Sequence, residues 1–134
     1  MKFVIRGTYC GDRTFPSLNQ YLQETGRNPK DGGAYKKKFM RIASNAIRRD
    51  LKAYRVKGAV ILHYKFYEPR KGQKRDLMNI FSFADKVIED ALQECKVLPN
   101  DNPEYVRNCT HEFYYTDSTP YIEVEIEEVE TPVL

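Results

Sequence analysis

Three aspartates and one lysine in the second half of the sequence are candidate catalytic or metal-binding residues, because their types and spacing suit such a site. Asp76 follows a basic run at the expected start of a helix, Lys86 and Asp90 lie further along that helix, and Asp101 follows in the next loop. Carboxylates beside a basic patch are typical of a divalent cation that faces a phosphate backbone. We therefore expect the rest of the chain to bring Asp76 and Asp101 together and to surround them with positive charge.

The helix that should carry these groups runs from about Leu77 to Cys95. Its apolar positions fall within one arc of a helical wheel drawn at about 100° per residue and predict the core face: Ile80, Ala84, Val87, Ile88, Ala91 and Cys95. Asn79, Lys86 and Asp90 fall together in another arc. This polar stripe is either the wall of a site or ordinary surface, since Lys86 and Asp90 also form an i,i+4 pair.

Charge is distributed very unevenly along the chain. Residues 1–75 contain 19 Lys and Arg against 5 Asp and Glu, whereas residues 76–134 contain 3 against 14. The basic part suits a polyanionic partner, although a charge run on a helix is also typical of a solvated face. The side chains predicted to contact DNA include Lys36, Lys37, Lys38 and Arg41 on a helix from about Ala34 to Tyr54, and Arg70, Lys71, Lys74 and Arg75 in an exposed loop.

Alternation of apolar and polar residues predicts four strands, at Lys2–Arg6, Val56–Glu68, Tyr105–Tyr115 and Tyr121–Glu130. The second strand carries apolar residues on both faces and should be central, with His63 a partnered sheet residue rather than a catalyst. We expect the last two strands to form a hairpin through Thr116–Pro120. The glutamates of the last strand then form a solvated face and guard an edge.

The resulting order, β-α-β-α-β-β, predicts a small α+β protein with a mixed sheet and two main helices packed largely on one face. One domain should span residues 1–134, with a loose tail at 131–134. Thr8–Asp31 is expected to be a long loop of the kind that is usually functional or mobile. Within it, Asn19 and Tyr21 could contact a ligand, or Leu18 and Tyr21 could pack the loop.

Several functional classes are excluded by what the sequence lacks. Neither a GxxxxGK[ST] phosphate loop nor a GxGxxG motif is present, so we expect no nucleotide cofactor. Two distant histidines exclude a His-rich metal site, and three isolated cysteines argue against disulfides and zinc. No apolar run approaches the roughly 18 residues of a membrane span, and the first residues do not resemble a signal peptide. A cytoplasmic protein without a membrane partner is expected.

Four segments, taken together, resemble the RusA-type Holliday-junction resolvases, small dimeric endonucleases found mostly in phages and prophages. Residues 16–21 are similar to the P-S-x-N-x-Y segment of that family, and residues 75–79 to its R-D-x-D-N motif. Residues 86–92 are similar to its K-x-x-x-D-A-L motif, and residues 100–101 to its terminal D/N-D pair. The motifs are short, but their order and spacing cover almost the whole chain.

The resemblance implies that Asp76 and Asp101 bind Mg²⁺ or Mn²⁺ and that Lys86 acts at the scissile phosphate, with Asn79 and Asp90 in support. It implies hydrolysis of symmetric strands of a four-way DNA junction, leaving 5′-phosphate and 3′-hydroxyl ends. It also implies a homodimer with two sites and a role in DNA recombination and repair.

Met78 stands where the family has its second aspartate. A thioether is a soft ligand and a poor partner for Mg²⁺. Asp85 lies roughly 10 Å further along the helix axis and points about 100° away from the polar stripe, and Asp90 lies further still. The metal site is then weakened, or is completed by a backbone carbonyl, by Asn79 or by water.

Three functions therefore stay open from the sequence. The first is an active structure-specific DNA endonuclease. The second is a branched-DNA-binding or regulatory protein that is derived from such an enzyme and has lost the chemistry. The third is a different role, such as RNA binding or a phage accessory protein.

Overall fold

Four strands and three helices follow one another in a computed structural model of the chain, which describes residues 1–6, 14–27, 29–72 and 74–130. The elements are β1 (Lys2–Ile5), α1 (Leu18–Arg27), α2 (Pro29–Leu51), β2 (Ala59–Pro69), α3 (Leu77–Glu94), β3 (Val106–Thr116) and β4 (Tyr121–Val129). The α+β class and the single domain are confirmed. The predicted tail at 131–134 lies outside the described residues.

The strands form one mixed sheet in the order β1-β4-β2-β3. β2 pairs in parallel with β3 and antiparallel with β4, which in turn pairs antiparallel with β1. The central position predicted for β2 is confirmed. Parallel neighbours need a crossover connection, and α3 provides it between β2 and β3.

The predicted hairpin between the last two strands is wrong, because β3 and β4 lie on opposite sides of β2. The connection at residues 117–120 crosses the end of β2, a span of about 10 Å or two strand spacings. Its sequence lacks the Asn-Gly or Asp-Gly pair that fixes a tight hairpin. β4 is consequently an inner strand, so its glutamates do not guard an edge, and the edges of this sheet are β1 and β3.

The predicted long loop at Thr8–Asp31 is also wrong in part, because α1 occupies Leu18–Arg27 and α2 begins at Pro29. The side chains at the start of α1 explain why it forms. The Ser17 N–H donates to Gln20 Oε1 over 2.7 Å, and the Gln20 N–H donates to Ser17 Oγ over 3.3 Å. This reciprocal pair is a capping box, which satisfies backbone groups that a short helix otherwise leaves open. Residues 8–13 and 28 of the predicted loop lie outside the described residues.

The helices cover one face of the sheet and bury a single core. Along α2, one apolar stripe lies in this core: Phe39, Ala43, Ala46, Ile47 and Leu51 are buried and Ile42 is half-buried. The predicted core face of α3 is buried from Ile80 to Ala91, whereas Cys95 is only half-buried. Beside that face, the Phe81 ring lies edge-on to Tyr64 of the sheet with centroids 5.4 Å apart. No helix in the described part of the chain is both long and apolar enough to cross a membrane.

The edge of β1 is covered by the last turn of α2. Asp50 Oδ2 accepts from the Val4 N–H over 2.9 Å, and Arg49 Nη2 donates to the Val4 carbonyl over 2.6 Å. These two side chains take the donor and acceptor positions that another strand would occupy. They therefore satisfy an open sheet edge, which is otherwise a template for stray pairing.

Candidate functional site

Asp76 is the N-cap residue of α3. Its backbone is extended, with φ −68° and ψ 131°, and its carboxylate accepts from the N–H groups of Met78 and Asn79. The two distances are 3.0 and 3.3 Å from Oδ1. An aspartate in this position satisfies two of the open donors of a helix end. Asp76 therefore has a structural role, whatever further role it has toward a ligand.

Four carboxylates gather along the second half of α3 and in the loop that follows it, and we call them the carboxylate cluster: Asp85, Glu89, Asp90 and Asp101. Asp85 and Glu89 are one helical turn apart and turn toward β3, where the Cys109 Sγ lies 3.6 Å from Asp85 Oδ1 and 3.9 Å from Glu89 Oε2. One potential ligand atom from each of Asp85, Glu89 and Cys109 lies within 4.8 Å of the others. The buried Tyr64 hydroxyl donates to Asp85 Oδ1 over 2.8 Å.

The electrostatics of the cluster are those of excess negative charge. Burial, followed by the hydrogen bond and the charge of Asp85, raises the pKa of Glu89 to about 9, and the charges of Asp101 and Asp90 add to this shift. Burial and the same two carboxylates, Asp85 and Glu89, raise the pKa of the Cys109 thiol. Burial likewise raises the pKa of Tyr64. Near neutral pH Glu89 and Cys109 therefore hold their protons, since the charged forms are disfavoured there.

Two lysines lie directly beside this cluster. Lys36 on α2 donates from Nζ to Asp90 Oδ2 over 2.6 Å, and the Lys86 Nζ lies 3.8 Å from Asp90 Oδ1. The Lys36 side chain is mostly buried, whereas that of Lys86 is 63% exposed. Lys86 can therefore turn toward a ligand while Lys36 holds Asp90 in place.

Asp76 and Asp101 are not brought together within one chain. Asp76 begins α3, and Glu89 follows thirteen positions later, which is about 20 Å along the helix axis. Asp101 lies at the Glu89 end, since its charge acts on Glu89. The expectation that the fold of one chain joins these two aspartates is therefore not met. The fold instead places Asp101 near Glu89 and pairs Lys86 with Asp90, and it leaves Asn79 with Asp76 at the other end of α3.

The carboxylate cluster offers oxygen donors of the kind that a hard divalent cation takes. Asp85, Glu89 and Asp101 supply carboxylate oxygens, the ligand type of Mg²⁺ and Mn²⁺. Burial is the main reason why the raised pKa of Glu89 keeps its proton bound near neutral pH, and the nearby carboxylate charges add to the shift. Binding of a cation here would release that proton, because a carboxylate must ionise to act as a ligand.

The basic side chains of α2 are open to contact from outside. Lys37 and Arg41 are exposed and make no ion pair with the described residues, and the Lys38 Nζ lies 5.8 Å from the centroid of the Tyr35 ring. The predicted glutamate row of β4 is on the other side of the molecule, because Glu125 and its neighbours alternate with residues buried under the helices. The glutamate row of β4 therefore lies on the sheet face away from the basic side chains of α2.

The four predicted cations before α3 differ in how they are held. Arg75 makes a bidentate pair with Glu68, at 2.9 and 3.0 Å, and also donates to the Phe15 carbonyl over 2.6 Å. The other three are exposed: Arg70 pairs with Asp117, Lys74 bonds to backbone carbonyls of residues 69 and 70, and Lys71 has no partner among the described residues. Arg75 therefore anchors the loop to the rest of the fold, whereas the side chains of Arg70, Lys71 and Lys74 are exposed to solvent.

Asn19 and Tyr21 were predicted either to contact a ligand or, for Tyr21, to pack against the fold, and the structure places the two side chains differently. Asn19 is exposed on α1. Tyr21 packs among aromatic rings, 5.1 Å from Phe83 and 6.4 Å from Tyr35 between centroids. Packing thus accounts for Tyr21, whereas Asn19 stays a predicted contact residue. His63 is a partnered sheet residue, as predicted, between Thr110 at 2.6 Å and Glu127 at 2.8 Å.

Sequence reasoning missed Glu89 and Cys109 and set Asp85 aside. The i,i+4 spacing of Asp85 and Glu89 was a visible signal that both share one helix face. Nothing local indicates that Cys109 faces the same helix, because that depends on the pairing of β3 with β2.

Comparison of the chain with protein-family models and with curated proteins finds no match. The family assignment therefore rests on the motif resemblance alone.

Proposed function

We propose that the protein is a metal-dependent, structure-specific DNA endonuclease that cuts four-way junctions in the cytoplasm. The observation that carries the proposal is the meeting of carboxylates and lysines from two adjacent helices. Asp90 of α3 contacts Lys36 of α2 and Lys86 of its own helix. Carboxylates that can hold a cation, beside lysines that can hold a phosphate, are the groups that phosphodiester hydrolysis needs.

Each group has a defined part in this proposal. Asp85, Glu89 and Asp101 would hold Mg²⁺ or Mn²⁺, which supplies polarisation of the phosphate and a lower pKa for the attacking water. Lys86 exchanges its long contact with Asp90 for a phosphate oxygen. The exposed cations of α2 and of the loop before α3 hold the DNA backbone and give a strong dependence on salt. A homodimer, which the family resemblance implies, would supply the two sites that paired cuts require.

The test is incubation of the purified protein with a synthetic four-way junction and with a linear duplex of matching sequence. Each is incubated with Mg²⁺, with Mn²⁺ and with a chelator. Paired nicks in the junction alone, present only with a metal ion, are expected. Asp101→Asn should abolish cleavage, whereas Glu125→Gln, which neutralises an exposed carboxylate in the glutamate row of β4, serves as a matched control. Equal cutting of both DNAs, or cutting in chelator, would contradict the proposal.

Asp76→Asn separates two roles for Asp76. Asparagine is as good an N-cap as aspartate, so the helix should remain intact. Loss of cleavage would place Asp76 at the reaction, as the family resemblance implies. Retained cleavage would leave it as the cap that its contacts describe.

A second function is favoured by Met78. Its side chain is 51% exposed at the start of α3, where the family has a carboxylate. The alternative is a protein that binds branched DNA without cutting it. It predicts tight junction binding without nicks, and cleavage that appears only in Met78→Asp. This variant is also the sharpest comparison, because it changes one exposed residue.

A further inference from the structure

A cavity of about 260 Å³ lies where the ends of β2 and β3 meet the start of α3, and we call it the loop cavity. Its wall combines the exposed loop lysines with the last aromatic residues of β3. Three of the six exposed large hydrophobic residues in the described chain, Leu77, Tyr114 and Tyr115, contribute to it. Exposed apolar side chains gathered in one place mark a binding site more often than scattered ones do.

The aromatic part of the wall is available to a flat ligand. Tyr115 is 52% exposed, and the Lys74 ammonium lies 4.4 Å from the centroid of its ring. Phe113 lies deeper and stacks on Phe66 with centroids 4.8 Å apart. Phe113 thus forms an apolar base of the cavity. The Tyr115 ring, with the Lys74 ammonium over it, forms its half-exposed part.

The charges around the loop cavity suit an anion. Lys71 and Lys74 line it, and Lys71 has no partner in the described part of the chain. The carboxylate that lines it, Glu68, is already neutralised by its bidentate pair with Arg75. A ligand with a flat ring and a negative charge satisfies both features, because bases stack on aromatic side chains while lysines hold the phosphates.

We propose that the loop cavity takes one unpaired nucleobase, which stacks on Tyr115 while Lys71 and Lys74 hold the adjoining phosphates. The volume lies just below the roughly 300–1,000 Å³ of pockets for larger ligands, which suits a single base and not a base pair. This inference rests on the proposed function and extends it. The preferred substrate is then a branch point with an unpaired nucleotide, and the cavity is the part of the protein that recognises it.

The experiment uses two probes, pentathymidylate and a strand of the same length with abasic sites. Both carry the same phosphates, so a difference between them reports on the bases. Stacking of a base is worth about 1–3 kcal/mol, so the wild-type protein should bind the abasic strand roughly 5- to 150-fold more weakly. Tyr115→Ala should abolish this difference, while Lys71→Ala should weaken both probes and reduce the salt dependence by about 0.7 in slope.

A fluorescent reporter can be introduced cleanly, because the chain contains no tryptophan. Tyr115→Trp should be quenched by pentathymidylate and not by the abasic strand. Tyr105→Trp is the matched control, since it lies ten residues earlier, next to the start of β3 and about 33 Å away. Its emission should not respond to either probe.

Equal affinity of the wild-type protein for the two strands would overturn the inference, and so would equal quenching of the two reporters. A four-way junction binding assay on the same preparation separates this result from a failure of the proposed function. If the protein binds the junction but binds pentathymidylate and the abasic strand equally, only the cavity proposal is refuted. If it binds neither the strands nor the junction, both proposals are refuted.

Discussion

Replacing Glu89 by glutamine is expected to remove much of the pH dependence of stability between pH 5 and pH 8. Burial and the neighbouring Asp85 raise the pKa of Glu89 from its usual value of 4.5 to about 9 in the folded protein. Between these two values the folded state keeps a proton that the unfolded state releases. The stabilisation is therefore complete below pH 4.5 and is lost as the pH rises toward 9. Glutamine has nothing to titrate and keeps the shape of the side chain.

The size of the effect follows from proton linkage. A full proton of difference changes the free energy of unfolding by about 1.4 kcal/mol per pH unit, so three pH units set an upper bound of about 4 kcal/mol. Glu89 is only partly buried, which reduces the difference. We expect about 2 kcal/mol after a discount for solvent screening.

The assay is urea unfolding followed by circular dichroism at pH 5, 6, 7 and 8. Wild-type protein should lose about 2 kcal/mol more than Glu89→Gln across this range. Glu104→Gln, an exposed glutamate in the loop before β3, is the control and should follow the wild type. Parallel pH curves for all three proteins would refute the raised pKa of Glu89.

Two further predictions test how the scaffold is held. Gly32→Ala should destabilise the protein by about 1–3 kcal/mol, because an added Cβ would lie 3.0 Å from the Cα of Thr25, and closer still to its Oγ1, where α1 and α2 touch. Gly33→Ala, with nothing within 4 Å of an added Cβ, should instead stabilise α2 by up to about 1 kcal/mol, and melting curves of the pair should move in opposite directions. Asp50→Ala should lower the free energy of unfolding by about 1–3 kcal/mol at pH 7, because the Val4 N–H loses its acceptor. The edge of β1 is then uncovered, so light scattering should show increased self-association that does not depend on salt concentration. An unchanged unfolding midpoint and a monodisperse Asp50→Ala protein would contradict that role.

The packing of α1 against α2 also sets the relative positions of the side chains that are predicted to contact DNA. Gly32 allows α1 to lie against α2, and the stacked Tyr21 and Tyr35 rings extend the same contact. This contact fixes the exposed Asn19 relative to the basic side chains of α2. Gly32→Ala should therefore weaken junction binding more than its loss of stability alone explains, and titration of labelled junction well below the unfolding midpoint measures this.

Features that depend on neighbours in sequence could be predicted well. The apolar periods of α2 and α3 and the alternation of β2 located those elements within a few residues, because a period of 3.6 or 2 is a local property of the chain. The early helix α1 was missed although its capping residues, Ser17 and Gln20, were visible. The proline and polar residues around them favoured a loop, and the capping box outweighed that preference.

The class of fold, the buried faces and the separation of basic from acidic segments could be predicted from local patterns in the sequence. The pairing of the strands and the contacts among the carboxylates could not, because they depend on contacts between residues far apart in the chain. β4 enters between β1 and β2 because its buried residues Ile122, Val124 and Ile126 complete the core there, a contact between residues far apart in the chain. Asp101 joins Glu89 rather than Asp76 for the same kind of reason. A straight helix keeps its two ends about 27 Å apart, and the chain that leaves its C-terminal end must enter β3 beside β2.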